Sequence, residues 1–130
     1  MQPARFVRFS RWAFLIAGIY GLVAIPPGYF MEARVGRDYP PAITHPEFYY
    51  GFLGLCLAWQ VMFLIIAHDP QRYRPAMLAA ILEKAGFSIA APILLLAGRV
   101  AGLVAFMGFI DAVLGVLFVI CYFGLRSASK

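Results

Sequence analysis

Charge is scarce in this chain. Charged residues make up 13% of it and hydrophobic residues 63%, with a mean hydropathy of +0.82, whereas a soluble domain holds about a quarter charged and about half apolar residues. That balance excludes an ordinary soluble domain. Cysteine is nearly absent too: Cys56 and Cys121 belong to no C-x-x-C pair, and helix rise sets them roughly 10 Å apart in depth, which argues against a disulfide or a redox centre. Histidine occurs twice, His45 and His68. About 23 residues of helix would hold these two roughly 35 Å apart, so one chain cannot bring both to one haem iron. There is no Gly-rich phosphate loop, no metal-spaced Cys/His cluster and no nucleophile motif, so no residue pattern names a reaction and no cofactor is expected.

What the chain does have is four long apolar runs. They cover about 12–30, 46–67, 75–98 and 103–125, with an outer loop at 31–45. A spanning helix needs roughly 20 apolar residues, so the 130-residue chain has room for four crossings and no separate soluble domain. The runs lack the alternation of barrel strands, and backbone groups in hydrocarbon must be satisfied within the segment. The expected fold is an all-α integral membrane four-helix bundle in one domain. The first run, with Arg5, Arg8 and Arg11 before it, resembles a secretory signal. It continues through Pro26 and Pro27 to Tyr29, Phe30 and Met31, however, where a signal peptidase needs small residues. The Pro pair predicts a kink or an early helix end.

Lys and Arg set the orientation. Arg5, Arg8, Arg11, Arg72, Arg74, Arg126 and Lys130 fall on one side of the four runs, and Arg34, Arg37 and Arg99 on the other. The richer side is expected to be cytoplasmic, with both termini there. The formal net charge of +5 then calls for anionic lipid at the inner leaflet and for no nucleic acid.

Glu83, Lys84 and Asp111 lie inside apolar runs, where ionisable groups mark a functional site or a polar contact between helices. At helix rise, Tyr20, Trp59, Gln60, Glu83 and Lys84 fall roughly 9–13 Å from the cytoplasmic edge. Glu83 and Lys84 are adjacent and so point about 100° apart on a helix. Lys84 is expected to snorkel to the inner headgroups, and Glu83 to turn inward to Gln60 or Tyr20 or else to carry a proton. Asp111, about 12 Å from the outer edge, is expected to reach Arg99, with Glu47, Tyr49 and Tyr50 nearby.

At the outer mouth, Thr44-His45-Pro46-Glu47 fits a capping box that satisfies helix-start donors. The outer loop, with Pro40 and Pro41, is long enough to act as a lid or partner surface. The inner turn is tight: Asp69 and Pro70 favour it, and Pro75 can start the next helix. Gly18, Gly21, Gly51, Gly54 and Ala58 permit close helix approach, while Gly98 and Gly102 fit a turn. Tyr29, Phe30 and the Phe48–Phe52 cluster read as an outer aromatic belt, with Trp12 and Tyr73 at the inner side.

The turn DPQRYRP followed by an apolar helix, and the final GFIDAVLGVLFVICYFGLR, resemble the DoxX-like group of small four-helix bacterial membrane proteins. That resemblance implies a multi-pass protein of the bacterial cytoplasmic (inner) membrane. Three functions are in view, in this order. The first is a non-enzymatic accessory or scaffold subunit of a membrane complex. The second is an oligomeric small transporter or lipophile-binding protein using Glu83 and Asp111. The third is a membrane enzyme acting on a lipid or quinone. A membrane-protein partner or a second copy of the chain is expected in the first two.

Overall fold

The computed structural model describes residues 3–128, with side chains described from 4 to 126. Lys130, counted above on the inner side, lies outside the described residues. The elements in order are α1 (Pro3–Ala24), a 3-10 turn (Pro26–Phe30), α2 (Glu32–Asp38), α3 (Pro46–His68), α4 (Ala76–Leu96) and α5 (Gly102–Ala128), with no strand among the described residues. Four segments, Ala4–Phe30, Pro46–His68, Ala76–Leu96 and Gly102–Arg126, are long and apolar enough to cross a membrane.

α1 begins well before the expected residue 12, because its Arg-bearing segment has good helix formers and simply prolongs the apolar helix. It stops where the prolines require. Ile25 still donates to Gly21 at 2.9 Å, but Pro26 and Pro27 have no N–H, and the chain tightens into the 3-10 turn with Gly28 donating to Ile25.

The expected outer loop at 31–45 is partly helical, which corrects that reading. In α2, Glu32 occupies the first turn and Arg37 the last, complementing the helix dipole. Arg34 pairs with Asp38 across one turn at 3.3 Å. Seven residues do not make a stable helix alone; the Tyr50 hydroxyl, donating to Glu32 at 2.7 Å, ties α2 to α3. The capping box is also corrected. His45 is the N-cap of α3 without a side-chain cap bond, and Glu47 instead meets His45 Nδ1 at 3.1 Å.

α4 packs most closely against α5, α1 against α3, and α1 against α5, while α3 and α4 touch little. The α4–α5 hairpin closes at Gly98, whose φ of +67° is the left-handed conformation that ends a helix. Arg99 donates back to Leu94 and Ala97 to Ile93. A Cβ on Gly108 would lie 2.6 Å from the Ala91 Cβ, so only glycine permits that approach. Gly18 likewise admits Leu64, whereas Gly51 faces open space and Ala58 is exposed.

The large buried side chains gather in the half of the bundle that holds the α3–α4 turn, the half expected to face inward: Phe14, Phe63, Phe118, Ile66, Met77 and Leu125. Phe14 and Phe118 stack with centroids 4.0 Å apart, and Phe63 meets Phe118 edge-on at 5.1 Å. Toward the outer end Leu53 is the large apolar side chain that reaches the same class of burial among the described residues. The bundle is therefore tight below its middle and looser above it.

Candidate functional site

The site lies at the upper edge of that aromatic core. Lys84 follows the first residue of α4 by eight positions, about 12 Å of rise. Its backbone is level with Gly115 of α5, where an added Cβ would come within 3.3 Å of the Lys84 Cβ. Glycine at 115 thus leaves room for the lysine stem between the two helices. Lys84 is 6% exposed, and its Nζ donates to Asp111 Oδ1 at 3.0 Å. Nζ also stands 5.4 Å from the centre of the Phe63 ring, a cation–π distance.

Glu83, the adjacent residue, closes back on the same ammonium. Its Oε2 is 3.3 Å from Lys84 Nζ. That oxygen is buried and accepts no hydrogen bond, so the contact is ionic and off the hydrogen-bonding directions. Two carboxylates therefore share one ammonium. The Lys84–Asp111 member is a good charge-assisted bond; the Glu83 member is left short of donors. Glu83 and Asp111 side chains remain 19% and 18% exposed.

Three expectations are corrected here. Lys84 does not snorkel to headgroups; its stem runs across the hairpin and outward to Asp111, because two carboxylates in an apolar interior attract the ammonium more strongly than a distant interface does. Asp111 does not brace Arg99, which is exposed in the α4–α5 turn; Lys84 reaches Asp111 instead. Glu83 pairs with Lys84 and not with Gln60 or Tyr20.

Gln60 and Tyr20 are thus separated from the charged cluster in role. Gln60 is 4% exposed, and its amide donates to the Cys56 carbonyl one turn back at 2.9 Å. The rest of its amide packs directly on Gly21, where no Cβ would fit. Gln60 is a polar wedge between α1 and α3. Tyr20 is 45% exposed on the outer face of α1. Both cysteines are free.

At the outer mouth, His45, Glu47 and Arg99 are all exposed, and the structure joins only His45 and Glu47. A polar constellation there escaped the sequence reading. Tyr49 donates to the Gly28 carbonyl at 2.6 Å, and Tyr50 to Glu32. Those bonds fasten the 3-10 turn and α2 onto α3. The signal for them was the tyrosine pair itself, since a phenol at an interface needs a partner for its hydroxyl. At the inner end Arg74 donates to the Tyr122 carbonyl at 3.0 Å and lies over that ring at 4.3 Å, clamping the inner turn to α5.

Compared with known proteins, the chain matches no family model, no curated protein and no solved structure.

Proposed function

We propose that this protein is a small multi-pass membrane protein that carries protons, with Glu83 as the group that takes up and releases the proton. The observation that supports this is the buried Glu83 oxygen with no hydrogen-bond donor, beside an ammonium that Asp111 already holds. If all three groups were ionised the cluster would carry one uncompensated negative charge. At the centre of a spanning helix such a charge costs about 2.5–3.5 kcal/mol on insertion scales, and a proton on Glu83 removes it. Lys84 and Asp111 form a neutral pair that positions Glu83.

The packing around the cluster fits the same reading. Glu83 and Asp111 retain side-chain exposure, while the stacked Phe14, Phe63 and Phe118 close the inner half. Passage to the inner side therefore needs a rearrangement or a second copy of the chain, and an oligomer is part of the proposal. So is a bacterial cytoplasmic membrane with both termini inside, which rests on the Lys/Arg bias and on the DoxX-like resemblance. A second reading, a non-enzymatic accessory or scaffold subunit, is supported by the Lys84–Asp111 bond, which joins α4 to α5 whether or not a proton moves.

The test is proton flux in proteoliposomes holding a trapped pH dye. Wild type should collapse an imposed pH gradient faster than protein-free vesicles, and Glu83→Gln should return the rate to the protein-free level. Equal rates for wild type and Glu83→Gln would remove the proton-carrier reading and leave the scaffold.

A further inference from the structure

The outer end holds a second polar site, independent of the charged cluster. A cleft of about 660 Å³ opens between the 3-10 turn, α2 and the returning stretch 39–45. Its size falls in the range of roughly 300–1,000 Å³ typical of small-molecule sites. The cleft exists because the chain folds back closely: a Cβ on Gly36 of α2 would meet the Ile43 backbone nitrogen at 3.3 Å. Tyr29 and Tyr50 line it, their ring centroids 5.9 Å apart and tilted by 35°. Glu32 stands in the wall, one carboxylate oxygen fixed by the Tyr50 hydroxyl at 2.7 Å. The fixed oxygen leaves the other lone pairs of the carboxylate for a ligand.

Arg37 lines the same cleft from the next turn of α2. Its side chain is 76% exposed, and it meets Asp38 at 3.6 Å. An exposed pair of that kind contributes about 0–1 kcal/mol, so the guanidinium is available to a stronger anion. The cleft thus presents a fixed anion flanked by aromatic faces and an exposed cation. That is the complement of a zwitterion whose ammonium and phosphate are a short link apart.

The location selects a lipid as the source. Phe30, which also lines the cleft, is 92% exposed, and Phe48 at the start of α3 is 71% exposed. Large aromatics exposed at the end of a spanning bundle lie against the boundary between headgroups and acyl chains. We propose that this cleft binds the headgroup of a zwitterionic aminophospholipid, its ammonium against Glu32 and the Tyr29 and Tyr50 rings and its phosphate on Arg37.

The experiment is lipid retention by the full chain, purified from vesicles of phosphatidylethanolamine and phosphatidylglycerol in equal amounts and read by native mass spectrometry. The wild type should retain phosphatidylethanolamine in preference. Glu32→Gln should reduce that preference about tenfold, and Arg37→Gln should reduce the retention of both lipids about tenfold, the loss expected for one charge-assisted contact. Glu32→Gln keeps an acceptor for Tyr50, and an unchanged melting temperature in that variant shows that the loss is not unfolding. Free phosphoethanolamine at matched concentration should leave the bound lipid in place. Preferential retention of phosphatidylglycerol, a preference unchanged in Glu32→Gln, or retention unchanged in Arg37→Gln would overturn the proposal. Displacement by the free headgroup would overturn the assignment to lipid.

Discussion

Lys84 reaches Asp111 one helical turn away from the residue it faces. Its backbone is level with Gly115, yet its ammonium bonds the carboxylate four positions earlier in α5 at 3.0 Å. A long aliphatic stem thus runs against the usual lean of helical side chains toward the N-terminus. What draws it is the pair of acids, since Glu83 closes on the same ammonium at 3.3 Å.

Breaking that arrangement is expensive. Lys84→Met removes the one cation from between two half-buried acids and should cost up to about 3 kcal/mol in detergent unfolding. Lys84→Met combined with Asp111→Asn should lose less than the sum of the single variants, with a coupling of about 0.5–2 kcal/mol. Arg99→Gln and Asp111→Asn should be additive, because Arg99 is not a partner. Coupling at Arg99 and none at Lys84 would contradict the geometry.

Close approach of α4 and α5 depends on Gly108. Gly108→Ala sets a methyl against the Ala91 methyl, which has no rotamer to yield, and should destabilise by about 1–3 kcal/mol. Gly86→Ala has open space around it and should be neutral or slightly stabilising. Melting of the two variants side by side reads the difference; equal losses would mean that the hairpin is not packed this tightly.

Much of this fold was legible because apolar length fixes a helix with little help from neighbours. The Pro26–Pro27 break, the Asp69 turn and the Gly98 turn follow from local backbone chemistry and appear where the residues place them. The site was legible in membership and not in pairing. Glu83, Lys84 and Asp111 stand out as charges in apolar runs, but depth measured from assumed edges put Asp111 in a separate layer. The hairpin register would have corrected that, because a short turn at 97–101 places the middle of α4 against the middle of α5. α2 was missed for a different reason: its seven residues are held by Tyr50, a contact from 18 positions away.

Arg74 offers a test of the inner clamp. Arg74→Lys keeps the charge but loses the planar donor and the stacking on Tyr122. A loss of about 1–2 kcal/mol is expected, seen first as faster amide exchange at the inner end of α5. Wild-type exchange in the variant would show that the turn holds without it.

Orientation can be read by chemical labelling. With Cys56 and Cys121 replaced by Ala, single cysteines at Gln71 and Ala42, both exposed, should react with a membrane-impermeant maleimide from opposite sides, Gln71 from the cytoplasm. Reaction of both from one side would contradict four crossings.

The most direct measurement of the proposed proton at Glu83 is infrared difference spectroscopy of the lipid-embedded protein across a pH step. A protonated carboxyl has its own carbonyl stretch, which shifts in deuterated water. A proton carried by Glu83 predicts such a band in the wild type, its retention in Asp111→Asn and its loss in Glu83→Gln. A band that survives Glu83→Gln, or one that vanishes only with Asp111→Asn, would contradict the assignment.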